Sequence, residues 1–347
     1  MMNMHTTSKR HGAVILVVTL LLSVCALGCV GGDDEKVTLK VLHAGSLTSP
    51  MEEIKAAFEE DNPNVTVNLE PAGSISCVRK ITDTGIEADV LGSADYTLIP
   101  SMMMPDYADW YAIFASNEMV LTYSDDSAYA DEITQDNWHD ILGREDVIWA
   151  FSNPNMDPCG YRTPMVIQLA EDYYGDDQIF EDLVEADSAI TCELVDGVYV
   201  ITTPGDLAPN TDRLTIRDKS VELVSMVLEG GLDYTWEYLS VAKQNGLNYI
   251  TMPDEINLSA VKFTDTYNTV EVHTSDGGIQ VGKPIVYGIT IPKNAPHPDV
   301  AAEFLTYLFG ELGQDTFDAL GQPPIVPAEA NELEAVPDIL KDYVREM

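Results

Sequence analysis

Residues 37–91 read VTLKVLHAGSLTSPMEEIKAAFEEDNPNVTVNLEPAGSISCVRKITDTGIEADVL, and this stretch decides the fold. Three of its segments are rich in β-branched and apolar residues and are typical of strands: residues 37–43, 65–69 and 89–91. Between them, residues 48–60 and 74–83 repeat apolar side chains at helical spacing. A strand–helix–strand–helix–strand order needs crossover connections, which give a parallel sheet with helices packed on its faces. We therefore predict an α/β fold that begins with a doubly wound sheet.

The rest of the chain continues to alternate between strand-like and helix-like segments. A strand-like segment at 118–123 is followed by a polar, turn-rich connection, which predicts passage into a second lobe. The apolar segment at 284–291 is typical of a buried strand. We predict a first lobe from residues 37–121 plus about 255–347, and a second lobe from about 122–254. A cleft between two lobes is a common binding site, and hinge closure is its usual motion.

The amino-terminal residues predict export. A short basic region precedes an apolar run at 13–27, which is shorter than the roughly 20 residues that span a membrane. The run ends at Ala-Leu-Gly-Cys, which closes on Cys29 in the manner of a lipoprotein processing site. We predict a signal peptide at 1–29, Cys29 as the lipidated first mature residue, and a linker at 30–36. A weaker second processing site ends at Cys25, and an uncleaved anchor is the other alternative. All of them place the bulk of the protein outside the membrane.

The chain is strongly acidic. Its 347 residues include 58 Asp and Glu against 18 Lys and Arg, a formal net charge of -40. A surface of this sign repels nucleic-acid backbones and anionic lipid head groups, so we exclude nucleic acid as a partner. Anions are repelled as well, so any anion site must act through local donors rather than through the overall field.

Cysteine and histidine usage argues against a resident metal centre. Beyond Cys29 the chain has Cys77, Cys159 and Cys192, an odd number that leaves at least one thiol unpaired. It has no Cys-x-x-Cys pair, and its six histidines are scattered, so the spacing of a zinc site is absent. We predict no cofactor.

Two glycine–serine junctions follow neighbouring predicted strands. Gly45 and Ser46 follow the first strand, and Gly73 and Ser74 follow the second. Gly45 permits the backbone to approach a ligand closely. The serine hydroxyls and nearby N–H groups would lie where helix N-termini favour anions. The pair predicts a cradle of neutral donors for an oxyanion, and the alternative is that both serines are simply helix caps.

Segments spread along the chain carry a family resemblance: HAGSL, EPAGSISCVRKITD, SADYTLIP, YADWY, NPNMDPCGYR, VELVS, KPIVYGITIPKNAPHP and GQPPIVP. As an ordered set, from about residue 39 to about residue 327, they resemble the archaeal tungstate/molybdate-binding protein family of the WtpA and ModA type. The resemblance implies a two-lobed periplasmic-binding-protein-like fold of type II. It also implies tungstate or molybdate held between the lobes and an ABC permease as partner. We further predict a monomer that the lipid on Cys29 tethers to the outer face of the cell membrane.

The resemblance also implies the site residues. Asp157 in DPCGYR and Glu222 in VELVS fall on two carboxylates that complete the coordination of the tungsten or molybdenum centre. The implied ligand contacts are Gly45, Ser46, Ser74, Asp157, Pro158, Cys159, Glu222 and Tyr238. Two carboxylates would repel sulfate and phosphate, whose central atoms do not expand their coordination, and would thereby exclude them. From spacing alone, Asp157 would only set a Pro-rich turn and Glu222 would lie on a solvated helix face.

Two other functions fit parts of the sequence. A receptor for sulfate or phosphate would share the serine cradle but would not need the carboxylates. A secreted hydrolase using Cys159 or Ser46 would need a general base within hydrogen-bond reach. The sequence has no Gly-x-Ser-x-Gly elbow, no paired-histidine zinc motif and no glycine-rich phosphate loop. We therefore predict a binding protein rather than an enzyme.

Overall fold

A computed structural model describes residues 36–347. The predicted signal peptide with Cys29, and the linker up to residue 35, lie outside the described residues. Among residues 36–347, no helix has the length and apolar character needed to cross a membrane.

The secondary structure of residues 36–347 alternates strands and helices along its whole length. The strands, in chain order, are β1 (Val37–Ala44), β2 (Val65–Ala72), β3 (Val90–Ser93), β4 (Ala112–Ser116), β5 (Met119–Tyr123), β6 (Trp149–Ser152), β7 (Thr191–Val195), β8 (Val198–Thr202), β9 (Leu214–Arg217), β10 (Tyr234–Tyr238), β11 (Asn248–Thr251), β12 (Val270–His273), β13 (Ile279–Val281), β14 (Val286–Thr290), β15 (Pro324–Ala330) and β16 (Val344–Glu346). The helices are α1 (Thr48–Asp61), α2 (Ser74–Thr82), α3 (Leu98–Met102), α4 (Trp138–Leu142), α5 (Pro158–Tyr174), α6 (Ser220–Leu228), α7 (Leu239–Asn245), α8 (Thr264–Tyr267), α9 (Pro298–Phe309) and α10 (Glu311–Ala319). Short 3₁₀ or π-helical turns lie at Gly45–Leu47, Glu181–Glu185, Val261–Phe263, Leu333–Ala335 and Asp338–Tyr343.

The predicted strand–helix–strand–helix–strand unit is confirmed. β1 pairs in parallel with β2 and with β3, and α1 and α2 connect these strands. α1 buries Met51, Ile54 and Phe58, the apolar positions whose spacing predicted the helix. Because Ala44 pairs with Ala72, β1 and β2 end at the same level of the sheet.

Strands from the end of the chain complete the first lobe. Its seven-stranded sheet has the order β16-β15-β4-β14-β3-β1-β2. β14 is antiparallel to both β3 and β4, so the sheet is mixed rather than parallel throughout. α9 and α10 help to cover it, and the ring of Phe58 on α1 meets that of Phe304 on α9 edge to face, with centroids 5.4 Å apart. Such aromatic contacts stabilise a core beyond their buried area alone.

The second lobe contains two smaller sheets. One has five strands in the order β11-β5-β10-β6-β9, and the other has four in the order β13-β12-β8-β7. A single core joins them and includes the fully buried indoles of Trp138, Trp149 and Trp236. α5 packs against strands of both sheets, namely β6, β10 and β12. The N-terminus of α5 is thereby fixed where it faces the first lobe.

Both crossings between the lobes differ from the sequence prediction. β5 begins at Met119 and pairs with β10, so the chain enters the second lobe before residue 119 rather than after residue 121. The predicted return at about residue 255 is too early, because β12 pairs with β8 and buries Val270 in the core of the second lobe. The chain rejoins the seven-stranded sheet only at β14. Strands as short as β12 and β13 give no local signal of the sheet they join, since that choice depends on distant partners.

Candidate functional site

A cavity of about 600 Å³ lies between the two lobes. The ends of β1, β2 and β3 border it on one side, and the N-terminus of α5 and the end of β10 border it on the other. Ligands of α/β sheets bind beyond the carboxyl ends of strands in this way. The predicted contacts that line the cavity are Ser46, Ser74, Asp157, Pro158 and Tyr238.

The two serine junctions form the wall of the first lobe. Ser46 lies in the 3₁₀ turn after β1, and Ser74 is the first residue of α2. Neither serine is a helix cap, because Leu47 holds that position for α1 and Gly73 for α2. The Ser74 hydroxyl instead accepts a hydrogen bond of 3.0 Å from the N–H of Ala94. A hydroxyl that accepts this bond retains its own proton for donation.

Gly45 is exposed and does not line the cavity. A Cβ atom at this position would meet no protein atom within 4 Å. The packing of the protein therefore does not require glycine there. A requirement for glycine would have to come from a bound ligand.

Asp157 joins the N-termini of two helices. Its Oδ1 accepts a hydrogen bond of 3.1 Å from the N–H of Cys159 and so caps α5. Its Oδ2 accepts one of 2.7 Å from the N–H of Ser220, the first residue of α6. Both helix dipoles therefore direct their positive ends at this carboxylate. An anion bound beside Asp157 would meet the same field.

Glu222 lies in the first turn of α6, two residues after Ser220. Its side chain is exposed and does not line the cavity. The structure therefore brings α6 to Asp157 but leaves the Glu222 carboxylate outside the cleft.

Tyr238 lies at the end of β10 and lines the cavity with Arg162. The Arg162 guanidinium donates a short hydrogen bond to the Tyr238 hydroxyl. Burial raises the pKa of the Tyr238 phenol well above its usual value, so the hydroxyl keeps its proton at neutral pH. It can therefore accept from Arg162 and donate to a ligand. Tyr234, four residues earlier on the same strand, is fully buried and does not line the cavity.

Pro158 lines the cavity, whereas the adjacent Cys159 does not. The Cys159 side chain is fully buried, with its Sγ 3.5 Å from the carbonyl oxygen of Trp236. Burial, followed by the nearby carboxylates of Glu237 and Asp157, raises the pKa of this thiol well above its usual value. A buried thiol in such surroundings is a poor nucleophile. Cys77, Cys159 and Cys192 are all free thiols.

A family model described as bacterial extracellular solute-binding protein matches residues 39–321, which is most of the chain. The chain belongs to this family. Members of such a family are binding components of transport systems, and the two-lobed fold predicted from the sequence is confirmed.

Individual relatives of this solute-binding protein align over nearly their whole length. An uncharacterized solute-binding protein of Methanoculleus marisnigri is 54% identical over 349 residues, covering 95% of this chain and 98% of that protein. The molybdate/tungstate-binding protein WtpA of Thermococcus kodakarensis is 42% identical over 323 residues, covering 89% and 90% respectively. A solved substrate-binding domain of an ABC transporter from Clostridium difficile has a TM-score of 0.56 at 17% identity, covers 83% of this chain and 99% of its own, and shows the shared fold.

Sequence reasoning missed an ion pair across the cleft of this solute-binding protein. Lys283, next to the return crossing, lies 2.5 Å from Asp95 of the first lobe. Burial alone would raise the pKa of Asp95, but the ammonium of Lys283 and the donors of Thr97 outweigh it and hold that pKa below its usual range. Both residues fall in segments that carried the family resemblance, yet no sequence pattern pairs positions so far apart.

The charged side chains that line the cavity are Asp95, Asp157, Arg162 and Lys283, two negative and two positive. The wall is therefore close to neutral in a chain of net charge -40.

A hydrogen-bonded network at the crossings was also missed. The Asn117 side-chain amide donates to the Ser240 hydroxyl at 2.8 Å and to the Tyr287 hydroxyl at 3.1 Å. The Gln322 side-chain amide donates to the same Tyr287 hydroxyl at 3.0 Å and to the carbonyl oxygen of Ser46 at 2.8 Å. The network joins both lobes at the hinge and positions the Ser46 turn.

Glu237 lies behind the second-lobe wall and is fully buried. Its Oε2 accepts a hydrogen bond of 3.1 Å from the N–H of Tyr238, while its Oε1 has no partner among the described residues. Burial raises the pKa of Glu237 to about 7, with a further contribution from Asp157. This carboxyl group therefore titrates near neutral pH.

Across residues 36–347, no cluster of three or more His, Cys, Asp or Glu residues is arranged to hold a metal ion.

Proposed function

We propose that this protein is the receptor of an ABC importer and captures tungstate or molybdate between its lobes. The observation that supports this most strongly is the composition of the cleft. Ser46 and Ser74 supply neutral donors from one lobe, and Asp157 supplies a carboxylate that two helix N-termini surround. A relative that is 42% identical over most of both chains is named a molybdate/tungstate-binding protein.

In this proposal the oxo groups of the ligand bind the serine hydroxyls and the hydroxyl of Tyr238. The Asp157 oxygens retain lone pairs beyond those that the two N–H groups use, so one of them bonds the metal centre. Sulfate and phosphate would meet the same carboxylate only as like charges, and that repulsion would exclude them. The charge-balanced wall explains how so acidic a protein accepts an anion, because local dipoles rather than net charge hold it.

The second carboxylate, Glu222, would join the site on lobe closure. It lies outside the cleft, but Ser220 in the same helical turn already contacts Asp157. Solute-binding folds close around their ligands by hinge motion. Asp157 and Glu222 lie on the same lobe, so closure would bring a ligand held on Ser46 and Ser74 to both carboxylates, with a change of the Glu222 rotamer.

Capture without catalysis fits the cleft better than hydrolysis does. The Cys159 thiol is buried with a raised pKa, and none of the described hydrogen bonds links it to a histidine. Ser46 is exposed but is hydrogen-bonded through its carbonyl oxygen, to Gln322. We propose no enzymatic activity and no cofactor.

The family of extracellular solute-binding proteins places the chain outside the cytoplasm. We propose that the protein is a monomer held at the outer face of the cell membrane by a lipid on Cys29, after removal of the signal peptide. The apolar run and the Ala-Leu-Gly-Cys sequence support this. Mass spectrometry of the membrane-associated protein should detect a diacylglyceryl-type modification on Cys29, and Cys29→Ser should release the protein into the medium.

The proposed ligand is tested by calorimetric titration of residues 36–347 with tungstate, molybdate, sulfate and phosphate. We expect one tight site for tungstate or molybdate and no heat from the other two. Glu222→Gln should weaken binding at least tenfold, roughly the loss of 1.4 kcal/mol. Glu229→Gln is the matched control, since Glu229 is exposed at the other end of the same helix. Tight sulfate or phosphate binding would exclude the carboxylate mechanism, and silence with every oxyanion would exclude the receptor.

A further inference from the structure

A second cavity, of about 220 Å³, opens off the main cleft on the side of the second lobe. It lies between α5 and the edge strand β13 and is called the side pocket below. The side pocket and the main cleft share four lining residues: Tyr161, Arg162, Gln280 and Lys283. Met165, Ile279 and Val281 line the side pocket alone. The proposed oxyanion contacts Ser46, Ser74 and Asp157 are not among its lining residues.

The side pocket is lined by the two cations of the cleft wall, Arg162 and Lys283, and neither is a direct contact of the oxyanion in the proposed arrangement. Arg162 makes no ion pair with any carboxylate among residues 36–347, and its guanidinium donates a hydrogen bond to the Tyr238 hydroxyl. Its guanidinium lies 5.3 Å from the ring centre of Tyr161 and 5.5 Å from that of Tyr238. These two aromatic contacts hold the group in place. A guanidinium has five N–H donors, so most of them are available to a ligand.

Lys283 supplies a second cation. Its ammonium contacts Asp95 but has three N–H groups, and its side chain remains 40% exposed. The chain has 18 basic and 58 acidic residues, and two of the basic residues line this one cavity. Burying the Arg162 charge without a carboxylate partner is costly, so an anion in the side pocket would be stabilised by Arg162 and, at the pocket mouth, by the spare donors of Lys283.

The other walls are apolar. Met165 is buried, and Ile279 and Val281 on β13 are 56% and 44% exposed. Large apolar side chains left open beside a cation pair favour a ligand with an apolar part. A carboxylate can bind the two-pronged guanidinium bidentately, and its alkyl part can cover the apolar wall, which a bare tetrahedral oxyanion would leave open.

We propose that the side pocket binds a small monocarboxylate, with its carboxylate on Arg162 and Lys283 and its short alkyl chain against Met165, Ile279 and Val281. This ligand would occupy the pocket beside, and not instead of, the ligand of the main cleft. The proposal does not depend on tungstate or molybdate being the ligand of that cleft.

The first test is calorimetric titration of the wild-type protein with propionate, with sulfate as a comparison. We expect saturable binding of one propionate per chain and no saturable binding of sulfate to this site. Arg162→Gln should weaken propionate binding at least about tenfold, and Lys283→Gln at least about threefold, the scale of lost charge-assisted hydrogen bonds. Lys293→Gln is the matched control, because Lys293 is 39% exposed and pairs with Asp109 at 2.7 Å away from the pocket.

The second test separates the side pocket from the main cleft. Val281→Phe should fill the pocket and abolish propionate binding while leaving oxyanion affinity within about twofold of wild type, since added bulk there displaces the ligand alone. Val195→Phe is its control, because Val195 is 48% exposed on β7, the opposite edge of the same sheet. Crystals soaked in 3-bromopropionate should show anomalous bromine density beside Met165.

Three outcomes would overturn the proposal. The first is no saturable propionate binding by the folded wild-type protein. The second is propionate binding that Arg162→Gln and Val281→Phe leave unchanged, which would place it elsewhere. The third is displacement of propionate by a main-cleft oxyanion with bromine density beside Asp157, which would make the carboxylate a competitor in the cleft. None of these results requires that tungstate binds, so failure here is distinguishable from failure of the proposed receptor.

Discussion

At the scale of single residues, Asp157 combines two tasks that are usually separate. It caps α5 and also accepts from the first N–H of α6, and we propose that it bonds the ligand's metal centre. Serine is as good an N-cap as aspartate, but it has no carboxylate to offer a metal. The two tasks can therefore be separated by the choice of substitution.

We predict that Asp157→Ser keeps most of the folding stability but loses at least tenfold in oxyanion affinity, the equivalent of about 1.4 kcal/mol. Asp157→Ala should lose affinity and also about 1 kcal/mol or more of stability, because it removes the cap. Urea unfolding and calorimetry measure the two quantities on the same samples. Equal affinity in wild type and Asp157→Ser would show that the carboxylate is structural only.

Glu237 gives a prediction for the pH dependence of stability. Burial raises its pKa from 4.5 to about 7 in the folded protein. Between these values the unfolded chain has released the proton and the folded chain has not, so the free energy of unfolding falls as pH rises. The full contribution is present below about pH 4.5 and is lost by about pH 7, at up to about 1.4 kcal/mol per pH unit.

Glu237→Gln should therefore be less sensitive to pH than wild type between pH 5 and pH 8 in urea unfolding. Glu118 and Glu171 also have pKa values raised to about 7, chiefly by burial, so the variant removes only part of the total slope. Glu193→Gln, at an exposed position, is the control and should leave the slope unchanged. The same slope in wild type and Glu237→Gln would mean that Glu237 is ionised when folded.

At the scale of elements, two strand–helix junctions contain glycine, and the packing of the fold requires it at only one of them. At Gly160, in the first turn of α5, a Cβ atom would lie 2.4 Å from the carbonyl oxygen of Ser152. The close approach of α5 to the end of β6 therefore requires glycine. At Gly45 no protein atom lies within 4 Å of such a Cβ, so only a ligand could require it.

We predict that Gly160→Ala lowers stability by roughly 1–3 kcal/mol, the usual cost of forcing atoms into a packed site. Gly45→Ala should leave the thermal midpoint within a degree or two of wild type, because the added Cβ would meet no protein atom within 4 Å. It should weaken oxyanion binding if the ligand approaches the backbone of this turn, as the proposed cradle requires. Thermal unfolding and calorimetry distinguish the two effects. Unchanged affinity in Gly45→Ala would show that the backbone of this turn does not approach the ligand.

The elements also show which parts of the protein the sequence could predict. The unit from β1 to β3 and the two serine junctions follow from local periodicity, and the register of Ala44 with Ala72 then brings the junctions together. The Asp95–Lys283 pair and the unpaired Arg162 could not be predicted, because they depend on which loops meet across the cleft. Glu222 shows the same limit. Its exposed position matches the interpretation from spacing, and whether it reaches the ligand depends on a motion that no local pattern encodes.

At the scale of the whole molecule, the net charge of -40 predicts a response to salt. Repulsion between exposed carboxylates opposes folding, and raising the salt concentration from about 0.1 M to about 1 M shortens the Debye length from about 10 Å to about 3 Å. We predict that the thermal midpoint rises across this range. The rate of oxyanion association should also rise, because the field that repels the ligand is screened.

Stopped-flow fluorescence of the tryptophans and thermal unfolding test these two effects, with potassium chloride as the salt. Sulfate and phosphate salts are unsuitable here because they are candidate ligands. An association rate that falls with salt would show that the cleft attracts anions over long distances, against the mechanism proposed here.

The positions of the two crossings determine which lobe can fold first while the chain is being synthesised. The second lobe is one continuous segment between β5 and β13, whereas the first lobe needs β14, β15 and β16 beside strands synthesised much earlier. A chain that emerges amino-terminus first can therefore assemble the second lobe while the first is still missing half its sheet. Until the last strands arrive, β3 and β4 expose the edges that β14 and β15 later cover, and unpaired edges of this kind promote aggregation. We therefore expect misassembly to begin while the first lobe is incomplete. Low stability of either folded lobe is not needed for it.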